Sequence, residues 1–255
     1  MDALNSIADT DVVFDLRFAA MMVIVFVAGI IRGFTGFGSA LLAVPALAVL
    51  YGPAQAVVIE VLIEVPVSLG LLPAAIRDAE RKTILPMLCM FALFVPFGAL
   101  LLTIVDPDLV KICISLFVLF AVVLMWQQSR LAHVFSPRAN FAVGAISGTT
   151  QGMIGMAGPV FAAALVARGD SPERTRANIS ALAAGIIAFS VISFWAFGLI
   201  TRDIIVYAAF ASPAILAGVW VGAVMFRRLH GVNLRMVILC FLALIAIFTL
   251  YDTLV

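Results

Sequence analysis

Three charged residues, Arg32, Glu60 and Glu64, fall in or beside apolar runs that hold no other charge. An ionisable group at depth in hydrocarbon costs about 2.5–3.5 kcal/mol or more, so it faces a cavity or a partner. Arg32 opens a glycine-rich break, Gly33, Phe34, Thr35, Gly36, Phe37, Gly38 and Ser39. There the glycines, Thr35 and Ser39 are expected to expose backbone N–H groups at the start of a half-helix over 39–50. A helix N-terminus beside a guanidinium makes an anion site, and the planar fork suits paired oxyanion oxygens. The competing reading is that Arg32 pairs with a glutamate and only holds the fold. Phe34 and Phe37 flank the glycines and are candidates for pocket walls.

Glu60 and Glu64 are spaced to share one helix face. Two carboxylates on an apolar face repel, so at least one is expected to hold a proton near neutral pH. That is what a proton-coupling group requires; a structural bridge from one glutamate to Arg32 is the alternative. At 1.5 Å per residue from the turn at Gly52-Pro53, Glu64 falls about 15 Å deep, near a bilayer midplane. A second break carries milder groups: Thr150, Gln151, Gly152 and Gly155 are its candidate substrate-binding residues, and Asn178 is read as standing where the first half has Glu60.

The elements that must position these groups follow from composition. Of 255 residues, 65% are hydrophobic and 11% charged, with a mean hydropathy of +1.23. A soluble domain carries roughly 25% charged residues, so this chain cannot cover a water-facing surface. A soluble enzyme, a nucleic-acid binder and a disordered segment are all excluded as readings, and the net charge of +1 leaves no polyanion footprint. The lipid bilayer is the solvent, and helices must satisfy the backbone. Cys89, Cys113 and Cys240 sit in apolar runs as small buried hydrophobes; no metal or cofactor motif is present. Asp2, Asp9, Asp11 and Asp15 give the N-terminus the wrong charge for a cleaved signal.

Apolar runs fall at about 18–31, 39–50, 54–76, 84–105, 109–127, 139–153, 156–167, 178–200, 203–226 and 234–251. A span needs about 20 residues. The short runs form two neighbouring pairs, each joined by a glycine-rich break. Basic loops hold Arg77, Arg81 and Lys82; Arg130 and Arg138; Arg168, Arg174 and Arg176; and Arg227, Arg228 and Arg235. If each short pair enters and leaves on one face, all four loops are cytoplasmic and both termini lie outside. The pairs can be re-entrant or two thin spans.

The chain then reads as an all-α integral membrane protein used twice over. Each copy is a broken or re-entrant helix pair plus three transmembrane helices, over about 16–128 and 139–253, within a single membrane domain over 1–255. Three crossings per copy invert the second copy relative to the first, a pattern of secondary transporters. Gly29, Gly144 and Gly148 alone fit helix packing. The denser clusters from Gly33 and from Gly152 are read as breaks, since each glycine costs about 1 kcal/mol in a continuous helix. Pro66, Pro73, Pro86, Pro96 and Pro213 read as packing kinks, and Trp126, Trp195 and Trp220 as interfacial belt residues.

Two copies of a glycine-rich half-helix motif ending in proline resemble the TauE/SafE family of membrane transporters. The motifs are Gly29-Ile-Ile-Arg-Gly33-Phe-Thr-Gly36-Phe-Gly38 through Pro45, and Gly144-Ala-Ile-Ser-Gly148 through Gly158-Pro159. Gly38-Ser39-Ala40 and Met156-Ala157-Gly158 depart from the commoner triple-glycine form. The resemblance implies movement of sulfite or a small sulfonate across the inner membrane, linked to the proton motive force, by a protein that is not an enzyme. Its partners are then a small anionic substrate, protons and the bilayer; a homo-oligomer is compatible with the chain.

Rival readings are an anion channel, an intramembrane enzyme using the buried carboxylates, and a non-transporting scaffold. His133 and His230 both fall in loops, so no Ser–His pair forms within the membrane. No ring of like charge or carbonyl-filter sequence marks a channel.

Overall fold

The computed structural model describes residues 16–126 and 139–228, together with Thr249. The N-terminal aspartates, Arg130, His133, Arg138, His230, Arg235, Cys240 and the run 234–251 lie outside the described residues. Those described form nine helices and no strands. In chain order these are α1 (Leu16–Thr35), α2 (Ser39–Tyr51), α3 (Pro53–Asp78), α4 (Arg81–Ile104) and α5 (Pro107–Trp126), then α6 (Ala139–Ile154), α7 (Gly158–Ala167), α8 (Pro172–Ala196) and α9 (Arg202–Arg228). Six of them, α1, α3, α4, α5, α8 and α9, are long and apolar enough to cross a membrane, whereas α2 and α7 are shorter. The protein is an all-α integral membrane protein.

The helices are apolar on nearly every side, as the bilayer requires. Leu93, Leu116, Phe120, Trp126, Trp195 and Trp220 remain more than half exposed on outward faces, while Val57, Ile63, Val95 and Ile114 are fully buried. Helix α1 packs along α9, and α6 packs along α4. Helix α3 lies between α8 and α9, and α8 lies between α3 and α4. The short helices α2 and α7 sit inside this frame against α3, α5 and α8.

Glycine sets how closely the frame packs. A Cβ at Gly33 would stand 2.1 Å from the Val219 carbonyl oxygen, and one at Gly152 2.2 Å from that of Val95. This differs from the expectation that the chain breaks at Gly33 and Gly152. Both stay helical, because the close backbone contacts they permit with α9 and α4 offset their poor intrinsic propensity. The first run therefore continues through Arg32 to Thr35, and α1 reaches full spanning length.

Candidate functional site

The true breaks come one turn later than the densest glycine spacing suggests, and both are built alike. Gly36 (φ 85°) and Gly155 (φ 70°) adopt the left-handed conformation that only glycine takes without strain. The Gly36 N–H donates to the Arg32 carbonyl at 2.7 Å, and the Gly155 N–H to the Gln151 carbonyl at 3.0 Å. Arg32 and Gln151 thus occupy matching places in the last turns of α1 and α6. A cation there is favoured by the negative end of the α1 dipole. Thr35 finishes the first break locally: its hydroxyl lies 2.8 Å from the Ile31 carbonyl oxygen and contacts the Phe37 carbonyl. Gln151 finishes the second, its Oε1 accepting from the Ala157 N–H at 2.9 Å.

After each break a short helix begins at the same small cavity, of about 50 Å³. Gly38, Ser39 and Ala40 bring the N-terminus of α2 to it, and Ala157, Gly158 and Phe161 the start of α7. Arg32, Phe37, Gln151 and Gly155 complete the break side, Glu60 and Glu64 come from α3, and Ala183, Ile186 and Ile187 from α8. Two helix N-termini and one guanidinium therefore converge on one buried volume, an arrangement that favours negative charge.

The polar side chains there form a single chain. Arg32 Nε lies 2.8 Å from Glu64 Oε2, an ion pair approached off the N–H axis rather than as an aligned hydrogen bond. The Ser39 hydroxyl lies 2.5 Å from Glu64 Oε1 and 3.1 Å from Glu60 Oε1. Arg32, Ser39, Glu60 and Glu64 are all buried, at 8%, 2%, 2% and 2% exposure. Among the described residues the terminal guanidinium nitrogens of Arg32 have no hydrogen-bond acceptor, so the fork remains available to a ligand.

Arg32 also lines a second, larger cavity of about 510 Å³. Gly33, Phe34, Thr35 and Gly36 form one wall of this vestibule, with Val67, Ile179, Val219 and Phe226 around it and Asp170, Thr175, Arg176 and Ser180 toward its mouth. Phe34 packs edge-on against Phe226 with ring centroids 5.4 Å apart. Arg32 therefore lines both spaces, with its partner Glu64 on the side of the smaller one.

The candidate residues read from the sequence divide between these spaces. Arg32, Phe37, Gly38, Ser39, Gln151, Gly155, Glu60 and Glu64 meet at the inner cavity; Gly33, Phe34, Thr35 and Gly36 line the vestibule. Thr150 and Gly152 line neither. The Thr150 hydroxyl is taken by the Ser147 carbonyl at 3.3 Å, and Gly152 faces α4, because α6 stays helical past both. Asn178 does not stand where Glu60 does: its Oδ1 accepts from the Glu80 N–H at 2.8 Å, at the α3–α4 turn. The residues that sequence reasoning missed are Ala40, Ala157, Gly158, Phe161, Ala183, Ile186 and Ile187. A signal for those on α8 was present. One constant shift carries Gly29, Gly33, Gly36 and Pro53 onto Gly148, Gly152, Gly155 and Pro172, and it carries Arg32 onto Gln151 and Glu64 onto Ala183.

Apolar helices of spanning length around a cavity between two broken helices, lined by one guanidinium and two carboxyl groups, define a membrane protein with a polar, ionisable site in its interior. The sequence profile described as sulfite exporter TauE/SafE matches residues 21–249, nearly the whole chain, and the chain belongs to that family. The family is one of membrane transporters of sulfite and sulfonates, not of enzymes. Comparison with curated proteins and with solved structures found no match.

Proposed function

We propose that the chain moves sulfite or a short sulfonate across the inner membrane by alternating access, with the proton as coupling ion. The observation that carries this reading is Arg32, buried at the meeting point of two helix N-termini, its terminal nitrogens without an acceptor among the described residues. An oxyanion placed between the α2 and α7 N-termini would take that fork bidentately, as guanidinium–oxyanion pairs do. Glu64 is then the internal anion that a substrate displaces from Arg32, and Glu60 and Glu64 together carry the coupling proton. The inner cavity is small, about 50 Å³ against about 510 Å³ for the vestibule. It suits a compact oxyanion better than an extended one.

The packing of α1 on α9 and of α6 on α4 is what two repeats over 16–128 and 139–253 would produce, and it supports their inverted relation. Arg168, Arg174, Arg176, Arg227 and Arg228 belong to the segments around the vestibule mouth, so the positive-inside rule puts that mouth in the cytoplasm. Both termini then lie outside the cytoplasm. A reporter fused after Glu80 should read as cytoplasmic and one after Asp106 as external; the reverse would overturn this orientation.

The direct test is uptake of radiolabelled sulfite into proteoliposomes. Arg32→Gln should reduce transport to the protein-free background while membrane insertion is kept. Arg32→Lys should rescue poorly, since an ammonium lacks the planar fork. If Arg32→Gln misfolds, and adding Glu64→Gln restores both folding and transport, the residue is a structural ion partner and the reading fails.

A further inference from the structure

The two glutamates of α3 meet on one hydroxyl. Ser39 Oγ lies 2.5 Å from Glu64 Oε1 and 3.1 Å from Glu60 Oε1, with no water-facing surface to dilute the contacts. A serine hydroxyl has one hydrogen to donate and two lone pairs with which to accept. It can donate one full bond, so a second full bond to the other carboxyl requires that carboxyl to bring its own proton. The shorter contact has the length of an O–H···O⁻ bond. It is made by Glu64, whose other oxygen lies 2.8 Å from Arg32 Nε. Both contacts have the geometry expected of a carboxylate at Glu64 and a carboxylic acid at Glu60.

Among the described residues no other ionisable group lines the cavity. Helix α6 brings Gln151, already engaged by the Ala157 N–H, and α7 and α8 bring only Ala157, Gly158, Phe161, Ala183, Ile186 and Ile187 to the cavity. The charges of α9 (Arg202, Asp203, Arg227 and Arg228) lie at its ends, and Asp108 and Lys111 sit in the first turns of α5, paired with each other at 2.9 Å.

We propose that Ser39 is the proton-transfer residue of this transporter, its hydroxyl passing one proton between Glu60 and Glu64 when an anion replaces Glu64 on Arg32. The proposal rests on the proton-coupled reading above. When the anion takes the guanidinium, Glu64 loses its counter-ion. The Ser39 O–H bond breaks as its hydrogen bonds to Glu64 Oε1, and the Glu60 O–H bond breaks as its hydrogen bonds to Ser39 Oγ. Ser39 ends as it began, Glu64 ends neutral, and Glu60 ends as a carboxylate ready to take the next proton. No other reactant is consumed. The pair holds one proton before and after the transfer, so it is an anion on Arg32 and a second proton, taken by Glu60, that favour each other and by linkage travel together.

The test compares two modes of sulfite transport in proteoliposomes: accumulation driven by an imposed pH gradient, and exchange of sulfite for sulfite without one. The gradient is kept on the alkaline side, where sulfite does not cross as its neutral acid. Ser39→Ala should lower gradient-driven accumulation about 100-fold, the scale of a positioned proton-transfer group, and lower exchange at least tenfold less than that. Ser39→Thr, which keeps the hydroxyl, should restore accumulation. Full accumulation by Ser39→Ala would overturn the proposal, and so would loss of exchange alongside it, since the hydroxyl would then serve the anion or the fold. Failure of the unmodified protein to accumulate sulfite under the gradient would instead sink the proton-coupled reading itself.

Discussion

The two broken helix pairs share a backbone and differ in their chemistry. Each ends its first helix with a left-handed glycine, Gly36 or Gly155, whose N–H caps a carbonyl four residues back. In the first half that capped residue is Arg32, ion-paired to Glu64; in the second it is Gln151, which only pins the Ala157 N–H. Opposite them, α3 brings two carboxylates to the cavity and α8 brings Ala183, Ile186 and Ile187. The comparison teaches that the geometry of the site is made twice and its charge once. A neutral half can supply shape and helix N-termini, while all ionisable groups gather on one side, where they can exchange partners.

Breaking that asymmetry should have the largest effect. Arg32→Gln makes the two halves alike, and losing the charged partner should cost anion binding at least about 3 kcal/mol, more than 100-fold. The same titration on Gln151→Ala should show a change of less than about tenfold, since a neutral hydrogen bond contributes only about 0.5–1.5 kcal/mol.

The shared backbone is tested next. Gly33→Ala and Gly152→Ala each push a Cβ into a facing backbone carbonyl, at 2.1 and 2.2 Å. Each should destabilise by about 1–3 kcal/mol or more, to a similar extent in both halves, as read by thermal unfolding in detergent. Gly36→Ala meets open space at φ 85°, so its cost should be limited to backbone strain of about 1–2 kcal/mol. A mild Gly152→Ala beside a severe Gly33→Ala would show that the halves do not pack equivalently.

The smallest effect is expected where the turns of the two halves touch. Arg168 reaches Glu80 at 3.2 Å and Asp170 at 3.0 Å, with all three side chains partly exposed. Arg168→Ala should cost no more than about 1 kcal/mol in the same unfolding measurement. A larger loss would mean that this contact, rather than the glycine seams, joins the halves.

Much of this was legible in the sequence because hydrocarbon punishes charge. That penalty alone singled out Arg32, Glu60 and Glu64 and predicted that they have partners. The same contrast between apolar runs and charged turns located every described helix, although α8 starts earlier than its apolar run, at Pro172, where Ser171 caps it by accepting from the Arg174 N–H. What stayed hidden depends on neighbours distant in the chain. Gly33 and Gly152 read as breaks because propensity is local, yet the backbones of α9 and α4 hold them helical. That error of one turn is also why Thr150 and Gly152 were placed at the site and face away from it. Ser39 was legible as a polar group at a helix start. Its contact with both glutamates was not, since it requires α2 to fold back along α3. Asn178 was misplaced because a polar residue near the right depth looked like a counterpart to Glu60, whereas the fold uses it to tie down the Glu80 turn.

The central claim is that one guanidinium, in one half only, holds the anion. Calorimetric titration of sulfite into the purified protein tests it most directly, using the unmodified chain, Arg32→Gln and Gln151→Ala, each first shown to be folded. The account predicts saturable binding by the unmodified chain and by Gln151→Ala, and none by Arg32→Gln. Binding by Arg32→Gln with unchanged affinity would contradict it.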